Sequence, residues 1–458
     1  MIAEAVDVVV VGAGPAGMAG ATELAGLGLN VVLLDEQGSA GGQIYRGITL
    51  APLSRRDLLG PDYAQGNVLA QALANTAVRH IKEAAVWQVG RDHQVSYLQG
   101  GRMHTLQARA VLLATGAMER PFPIPGWTLP GVMTAGAAQI LLKSAGLAPT
   151  EPVVLAGCGP LLYLLGWQYL RAGVPIEALV DTTHRDDYWR ARRHLVSALR
   201  AWPYLRKGLQ LMRSLRQARI AHFTGASELA IEGTESAQAL TFKANGKRER
   251  IATRCVLLHQ GVVPNIQFSQ SLRATHAWDA QQLCFSPLKD SWGELDVPGI
   301  FVAGDGGGIG GAQAAALQGR LAAFGIAARL GALGAPQRDQ RGASLHLALA
   351  DTLRIRPFLD VLYRPRDEHR IPADDVIVCR CEEVTAGQLR EFVAMGCAGP
   401  NQAKSFGRCG MGPCQGRMCG LTVTEVIADA RAVPAGDVGY YRIRPPIKPI
   451  TLGELAGD

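Results

Sequence analysis

The sequence predicts an α/β protein in which two nested βαβ nucleotide-binding units precede a small cysteine-rich domain. Three observations predict it. An apolar run opens directly into Gly12-Ala13-Gly14-Pro15-Ala16-Gly17, and a second run opens into Gly157-Cys158-Gly159-Pro160. Six of the nine cysteines, Cys379, Cys381, Cys397, Cys409, Cys414 and Cys419, crowd together late in the chain. At ~150 residues per domain, 458 residues allow about three domains. With 48% hydrophobic and 19% charged residues the chain has a core to bury. Nine cysteines are too few for a disulfide-built secreted scaffold. Met1 to Asp7 lacks the basic region of a secretory signal, and the longest apolar stretch, Ala312 to Leu333, is interrupted by Gln313, Gln318, Arg320 and Arg329. No transmembrane helix is therefore expected, and a cytoplasmic location is.

In the first unit, Val8 to Val11 has the pattern of a buried parallel strand. The turn leads into an Ala/Leu-rich helix ending near Gly26, then a strand, Val31 to Leu34, that ends in Asp35-Glu36. Gly12, Gly14 and Gly17, with Pro15 and Ala16 between them, let backbone approach a pyrophosphate at the positive end of the helix. An acid about 20 residues on accepts from a ribose hydroxyl. Glu36 is favoured over Asp35 because four residues separate it from Gly41-Gly42.

That spacing resembles the opening of flavoproteins of the glutathione reductase structural class, which is Rossmann-like in both nucleotide domains. Val111 to Gly116, with Thr115-Gly116 at its turn, resembles the strand and A-T-G turn of the FAD domain. Gly299 to Asp305 resembles the late motif ending in Gly304-Asp305, whose aspartate holds the ribityl chain, and Gly310-Gly311-Ala312-Gln313 opens a helix whose positive end would face the flavin. The resemblance implies FAD, with Gly42, Gln43 and Arg46 in the same site. One departure matters: Gly42-Gln43-Ile44-Tyr45-Arg46 contains no cysteine and Cys158 is isolated, which excludes a thioredoxin reductase-like dithiol mechanism.

The second unit runs from Pro152 through Gly157 and Gly159 to a strand ending in Asp181. It resembles the NAD(P)-binding insertion of the same class, with Leu162 replacing the third glycine. NAD(P), another nucleotide and an empty fold all stay open. Beyond it, basic residues concentrate between Arg185 and Arg219, interleaved with Leu195, Leu199, Trp202, Leu205 and Leu209. This pattern predicts amphipathic helices with a solvated basic face, or a docking surface for an acidic partner or membrane headgroups. No nucleic-acid motif accompanies the net charge of +7.

Cys379-Arg380-Cys381 is followed by Cys409-Gly410-Met411-Gly412-Pro413-Cys414. Thr385 to Gln388 is a capping box that opens a helix to Met395, and Gly396 ends it. Pro413 is placed to start a second helix, with Cys414 at its N-terminus, where the dipole favours thiolate. Four thiolates around tetrahedral iron or zinc are chemically sensible, and C-x-C is unusual for structural zinc. The arrangement resembles the [2Fe–2S] domain of bacterioferritin-associated ferredoxin, which implies Cys379, Cys381, Cys409 and Cys414 as ligands. Cys397 and Cys419 are expected to be buried thiols; Cys419 falls five residues past Cys414, off its helical face.

Nearly the whole chain resembles the alpha subunits of heteromeric bacterial amine dehydrogenases, among them D-hydroxyproline dehydrogenase, opine oxidase and hydrogen cyanide synthase. The matching stretches are Val32 to Gln37, Gly41 to Arg46, Gly410 to Arg417 and Tyr441 to Pro446. The resemblance implies a partner flavoprotein subunit of the D-amino-acid-oxidase type, a small ferredoxin-like subunit, and a second flavin, FMN, at a subunit interface. No Ser/His/Asp set or carboxylate pair marks a catalytic centre, so the expected role is electron transfer. The competing readings are a self-contained NAD(P)H-dependent flavin reductase and a zinc-held interaction module. The expected domains are a split FAD domain (1–118 and 261–332), an insertion (119–260), a linker (333–375), the cluster domain (376–432) and an extended tail (433–458). Peripheral contact with the inner face of the cell membrane is an expectation of the basic segment.

Overall fold

The computed structural model describes residues 4–456. Strand Glu4–Val11 lies at the centre of a seven-stranded sheet, parallel to Val31–Leu34 on one side and Arg102–Leu113 on the other. Ile300–Val302 pairs with the end of Arg102–Leu113, so the late motif returns beside the first glycine turn. An antiparallel meander, Ala85–Val89, Gln94–Gln99 and Arg102–Leu113, completes the sheet.

Successive side chains leave a strand by opposite faces. Val8 and Val10 join Leu33, Leu112 and the helices on one face, while Val9 and Val11 join Val32, Val111 and Leu113 on the other. Each such burial contributes about 1.5–3 kcal/mol. Helix Pro15–Gly26 packs against helix Ala312–Arg329 at backbone distance: a Cβ on Gly319 would lie 2.1 Å from the Ala16 carbonyl oxygen.

The insertion has its own parallel sheet, in the order Ala221–Thr224, Ile176–Asp181, Val153–Cys158, Cys255–Gln260 and Val132–Thr134. It joins the first unit through two paired connectors, Ala117–Glu119 and Val262–Pro264. The basic segment forms helices Arg185–Ala191, Leu195–Arg200 and Trp202–Gln217.

The stretch expected as a linker is largely helical, with Ala335–Leu353 and Arg356–Leu362. Pro336 and Pro357 stand in the first turns, where the missing N–H does no harm, so they start helices rather than break them. The cysteine domain pairs Ile377–Cys379 with Val384–Thr385 and adds helices Ala386–Ala394, Pro400–Gly407 and Gly420–Ala430. It is not loosely tethered. Val378, Leu389, Val423 and Tyr441 belong to the same apolar cluster as Val9 and Val111 of the first sheet. The tail reinforces this union: Tyr441, Ile443 and Ile447 are buried, and the Ile447 N–H donates to the Trp87 carbonyl at 3.1 Å.

Candidate cofactor sites

The first glycine turn is held from below. The Asp35 carboxylate, buried at the end of its strand, accepts the N–H groups of Ala13 at 2.5 Å and Gln37 at 2.8 Å. Glu36 points the other way, is exposed, and pairs with Lys448 of the tail. Asp35 therefore shapes the loop, and Glu36 is the carboxylate presented at the rim. Pro15 opens the helix, and a Cβ on Gly17 would stand 1.8 Å from the Gly12 carbonyl oxygen, so that contact admits only glycine. Gly14 faces Gly42 across a short gap: a Cβ there would lie 3.8 Å from the Gly42 Cα.

The later motifs meet this turn. The Thr115 hydroxyl donates to the Asn265 carbonyl at 3.1 Å, and the Asn265 N–H donates to the Gly116 carbonyl at 3.0 Å. The Gly304 N–H donates to Gln318 Oε1 at 2.9 Å. Asp305 Oδ1 accepts from the Gly310 and Gly311 N–H groups at 2.8 and 2.9 Å, fixing the loop before helix Ala312–Arg329. Gln313 lies in the first turn of that helix and accepts from the Tyr204 hydroxyl at 2.9 Å. Gln43 Nε2 donates weakly to the Ala117 carbonyl at 3.4 Å, and the Arg46 Nε is buried with no protein partner.

Two cations beside this cradle escaped the sequence reasoning. Lys143, in helix Ala135–Ala145, donates to Gln139 Oε1 at 2.6 Å and to the Gln43 carbonyl at 3.3 Å. Burial, with the Arg46 charge adding to it, brings its ammonium down to about 7. Lys289 is pushed down to about 8 by burial, against the opposing pull of Asp305. For Lys143 the one available signal was a single charge on a mainly apolar helix, which reads equally well as a surface residue. Buried positive groups, an orphaned Arg46 Nε and a glycine turn at a helix N-terminus fit the diphosphate of a dinucleotide.

The second unit departs from a nucleotide site. Gly157 and Gly159 form the turn, and Leu162 is fully buried behind it. Asp181 turns inward. It is fully buried, accepts from the Tyr163 hydroxyl, and takes the Thr183 N–H at 2.8 Å. Burial pushes both the Asp181 carboxyl and the Tyr163 hydroxyl upward, away from ionisation. The crevice at the strand ends, where such folds take ligands, is filled by the segment after Leu362. Cys158 Sγ donates to Gln260 Oε1 at 3.2 Å and to the Tyr363 carbonyl at 3.5 Å, and Gln260 Nε2 lies 3.4 Å from His369 Nδ1. Thr183 Oγ1, His184 Nε2 and His369 Nε2 are left there without a protein partner. With the Asp181 carboxylate held by Tyr163 and Thr183 and the strand ends covered, no acid here is free to accept from an NAD(P) ribose.

Five cysteines converge in the C-terminal domain. The Sγ atoms of Cys379, Cys409 and Cys419, all buried, lie within 4.8 Å of one another. Cys381 and Cys414 form a second, more exposed pair close enough to hydrogen-bond. The thiols of Cys409 and Cys419 and the N–H groups of Gly410 and Glu382 draw the Cys379 thiol well down, towards thiolate, while Cys379 in turn pushes Cys409 up. The Tyr441 hydroxyl donates to Cys409 Sγ at 3.4 Å. This donor set fits a thiolate-bound iron cluster. Cys397 stands apart and donates to the Gly399 carbonyl at 3.4 Å.

Two expectations change here. Residues 413–419 are turns, and the helix begins at Gly420, so Cys414 is not at a helix N-terminus. The helical-face argument that set Cys419 aside therefore does not apply, and the chain folds Cys419 back onto Cys379 and Cys409. The C-x4-C spacing from Cys414 to Cys419 repeats that from Cys409 to Cys414 and was the signal that could have found it.

Comparison with known proteins agrees with this architecture. Residues 6–319 match the pyridine nucleotide-disulphide oxidoreductase family, and residues 375–458 match the sarcosine oxidase A3 domain. The A subunit of opine oxidase from Rhizobium meliloti is 45% identical over 460 residues, covering 98% of this chain and 87% of that protein. The HcnB subunit of hydrogen cyanide synthase from Pseudomonas protegens is 31% identical over 457 residues, covering 96% of each. Among solved structures, L-proline dehydrogenase from P. horikoshii superposes with a TM-score of 0.72 at 21% identity, over 98% of this chain and 79% of that one, which shows the shared fold. The chain belongs to the pyridine nucleotide-disulphide oxidoreductase family of flavoprotein oxidoreductases, within the group of subunits of heteromeric amine-oxidising enzymes that includes HcnB and its opine oxidase counterpart.

Proposed function

We propose that this chain is the electron-transfer subunit of a multi-subunit dehydrogenase, holding FAD in its first unit and a [2Fe–2S] centre in its C-terminal domain. The C–N bond of the substrate is oxidised on a partner flavoprotein subunit of the D-amino-acid-oxidase type. The substrate class is an amino acid or secondary amine of the opine, D-hydroxyproline or glycine kind, and the 45% identity to the opine oxidase relative favours the opine class. The observation that carries this reading is the convergence of five cysteines in a domain that shares its core with the first sheet.

When bound, FAD accepts electrons in pairs and a [2Fe–2S] centre passes them singly. The chain's own residues do the holding. Asp35 fixes the glycine turn, Glu36 offers its carboxylate at the rim, and Asp305 orders the loop before Gln313. Arg46 and Lys143 supply positive charge beside Gln43. Cys379 and Cys381, with two of Cys409, Cys414 and Cys419, would hold the cluster, and the buried Tyr441 covers it.

The test is co-purification with native neighbouring subunits, cofactor extraction and an amine panel, run beside the isolated chain. The isolated chain is expected to hold flavin and about two irons, and to leave amines unoxidised. FMN is expected only in the assembled complex. Serine replacements one at a time should abolish the iron spectrum at four of the five convergent cysteines and leave it intact at Cys397. Oxidation of an amine at full rate by the isolated chain, or zinc in place of iron, would overturn the proposal.

A further inference from the structure

The charge of this protein is not spread over its surface. Residues 185–219 hold ten Lys and Arg against two acids, a net +8, so the other 423 residues together carry −1. Arg190 reaches Asp187 at 3.8 Å and Lys207 pairs with Asp62, while the other eight cations of the stretch make no ion pair among the described residues. Large apolar side chains stand out between them. Trp189, Leu195, Val196, Leu199, Trp202 and Leu209 are each 45% to 67% exposed.

Helix Trp202–Gln217 shows how the two kinds are arranged. Leu211 and Leu215 are buried on its inner side. Trp202, Arg206, Leu209, Arg213 and Arg216 recur at alternating spacings of four and three and are all exposed, so they line one outer face. Cations and apolar groups therefore share that face rather than separating. At the end of helix Arg185–Ala191 the Arg192 guanidinium lies over the Trp189 ring at 4.1 Å.

Charge decides between two kinds of partner. A protein–protein interface also takes Trp and Arg, but its centre is poor in net charge, whereas this stretch carries a net +8 with eight cations outside any ion pair among the described residues. A bilayer surface accepts both groups at one place: apolar side chains and indole rings sit at the acyl boundary while guanidinium groups reach up to phosphates. We propose that the outer face of residues 185–217 is a docking surface for a membrane rich in anionic phospholipid, bound in the plane of the headgroups. No helix among the described residues is long and apolar enough to cross a membrane, so the attachment is peripheral and reversible.

The test is sedimentation of the full-length protein with vesicles of phosphatidylcholine alone, and of phosphatidylcholine and phosphatidylglycerol at about 3:1. At low salt, binding to the anionic vesicles should exceed binding to the neutral ones at least tenfold, and should fall away as salt screens it. Arg206→Glu/Arg213→Glu/Arg216→Glu should weaken binding about a hundredfold. Trp202→Ser/Leu209→Ser should weaken it about tenfold. All five positions are exposed, and an unchanged thermal midpoint confirms each fold. Equal binding to both vesicle types, no binding at low salt, or insensitivity to the triple reversal would overturn the proposal. So would a Trp202→Ser/Leu209→Ser protein that fails to assemble with native subunits while the wild type ignores vesicles, since the surface would then be a protein interface.

Discussion

Lys143 offers a direct measure of the electrostatics around the first cradle. Its ammonium is buried beside Arg46, and burial brings it from 10.5 to about 7. Between those values the unfolded chain binds the proton that the folded chain releases, so stability rises with pH across that window. At 1.36 kcal/mol per unit, the charged lysine costs the fold about 5 kcal/mol below pH 7 and about 2 kcal/mol at pH 9. Lys143→Met keeps the length of the side chain and removes the charge. It also leaves Gln139 Oε1 and the Gln43 carbonyl short of a donor, worth about 2 kcal/mol. The variant should therefore be more stable than the wild type by about 3 kcal/mol at pH 6, with the advantage gone by pH 9. Thermal or urea unfolding of both proteins at pH 6, 7, 8 and 9 measures it. Lys289, which titrates in the same range, is common to both and cancels in the difference. A stability difference that does not change with pH would refute the reasoning.

Other perturbations test separate parts of the structure. Asp35→Ala removes the acceptor of the Ala13 and Gln37 N–H groups, and should lower stability by about 3 kcal/mol and flavin affinity at least tenfold, read by flavin fluorescence on titration. Arg370 and Glu425 are a buried ion pair joining the segment after Leu362 to helix Gly420–Ala430. Glu425→Ala leaves the buried guanidinium only Asp367 and the Pro365 carbonyl and should cost about 3 kcal/mol, while Arg370→Met/Glu425→Met should cost clearly less, as paired unfolding curves would show. Tyr163→Phe deprives buried Asp181 of a donor and should lower the thermal midpoint by the equivalent of about 1–3 kcal/mol.

Both βαβ units could be read from the chain because each is local: strand, glycine turn, helix and second strand lie within about 30 residues. The pairing of Ile300–Val302 with Arg102–Leu113 was legible only through a resemblance, since a strand three residues long has no periodicity of its own. The cysteine site was half legible. Cys379, Cys381 and the Thr385 capping box are set by short-range geometry, and the box forms as its spacing predicts. Cys419 is buried as expected, but its place beside Cys379 and Cys409 was not legible, because a proline reads as starting a helix whereas residues 413–419 curl in turns and Gln415 takes a positive φ of 53°. The filling of the second crevice was not legible at all. Tyr363 and His369 come from some 200 residues beyond Cys158, and only the folded chain brings them to Gln260 and the glycine turn.

That filling bears on where electrons enter. The second unit keeps the strand, turn and helix of a dinucleotide fold, yet three positions that would serve a ligand serve the protein. Leu162 packs where the third glycine would stand, Tyr163 takes the carboxylate of Asp181, and Tyr363 and His369 close the strand ends. Each change alone would leave room for adjustment. Together they require a nucleotide to break a buried hydrogen bond and displace a packed segment before it makes any contact of its own. A reductase fed by NAD(P)H needs the opposite, an open crevice with a free acid at its edge. The expected outcome is that NADH and NADPH leave the visible spectrum of the flavin-loaded chain unchanged under anaerobic conditions. An amine substrate should bleach it only when the partner subunit is present. Prompt bleaching by either nucleotide would show that the segment after Leu362 opens, and would return the second unit to the electron path.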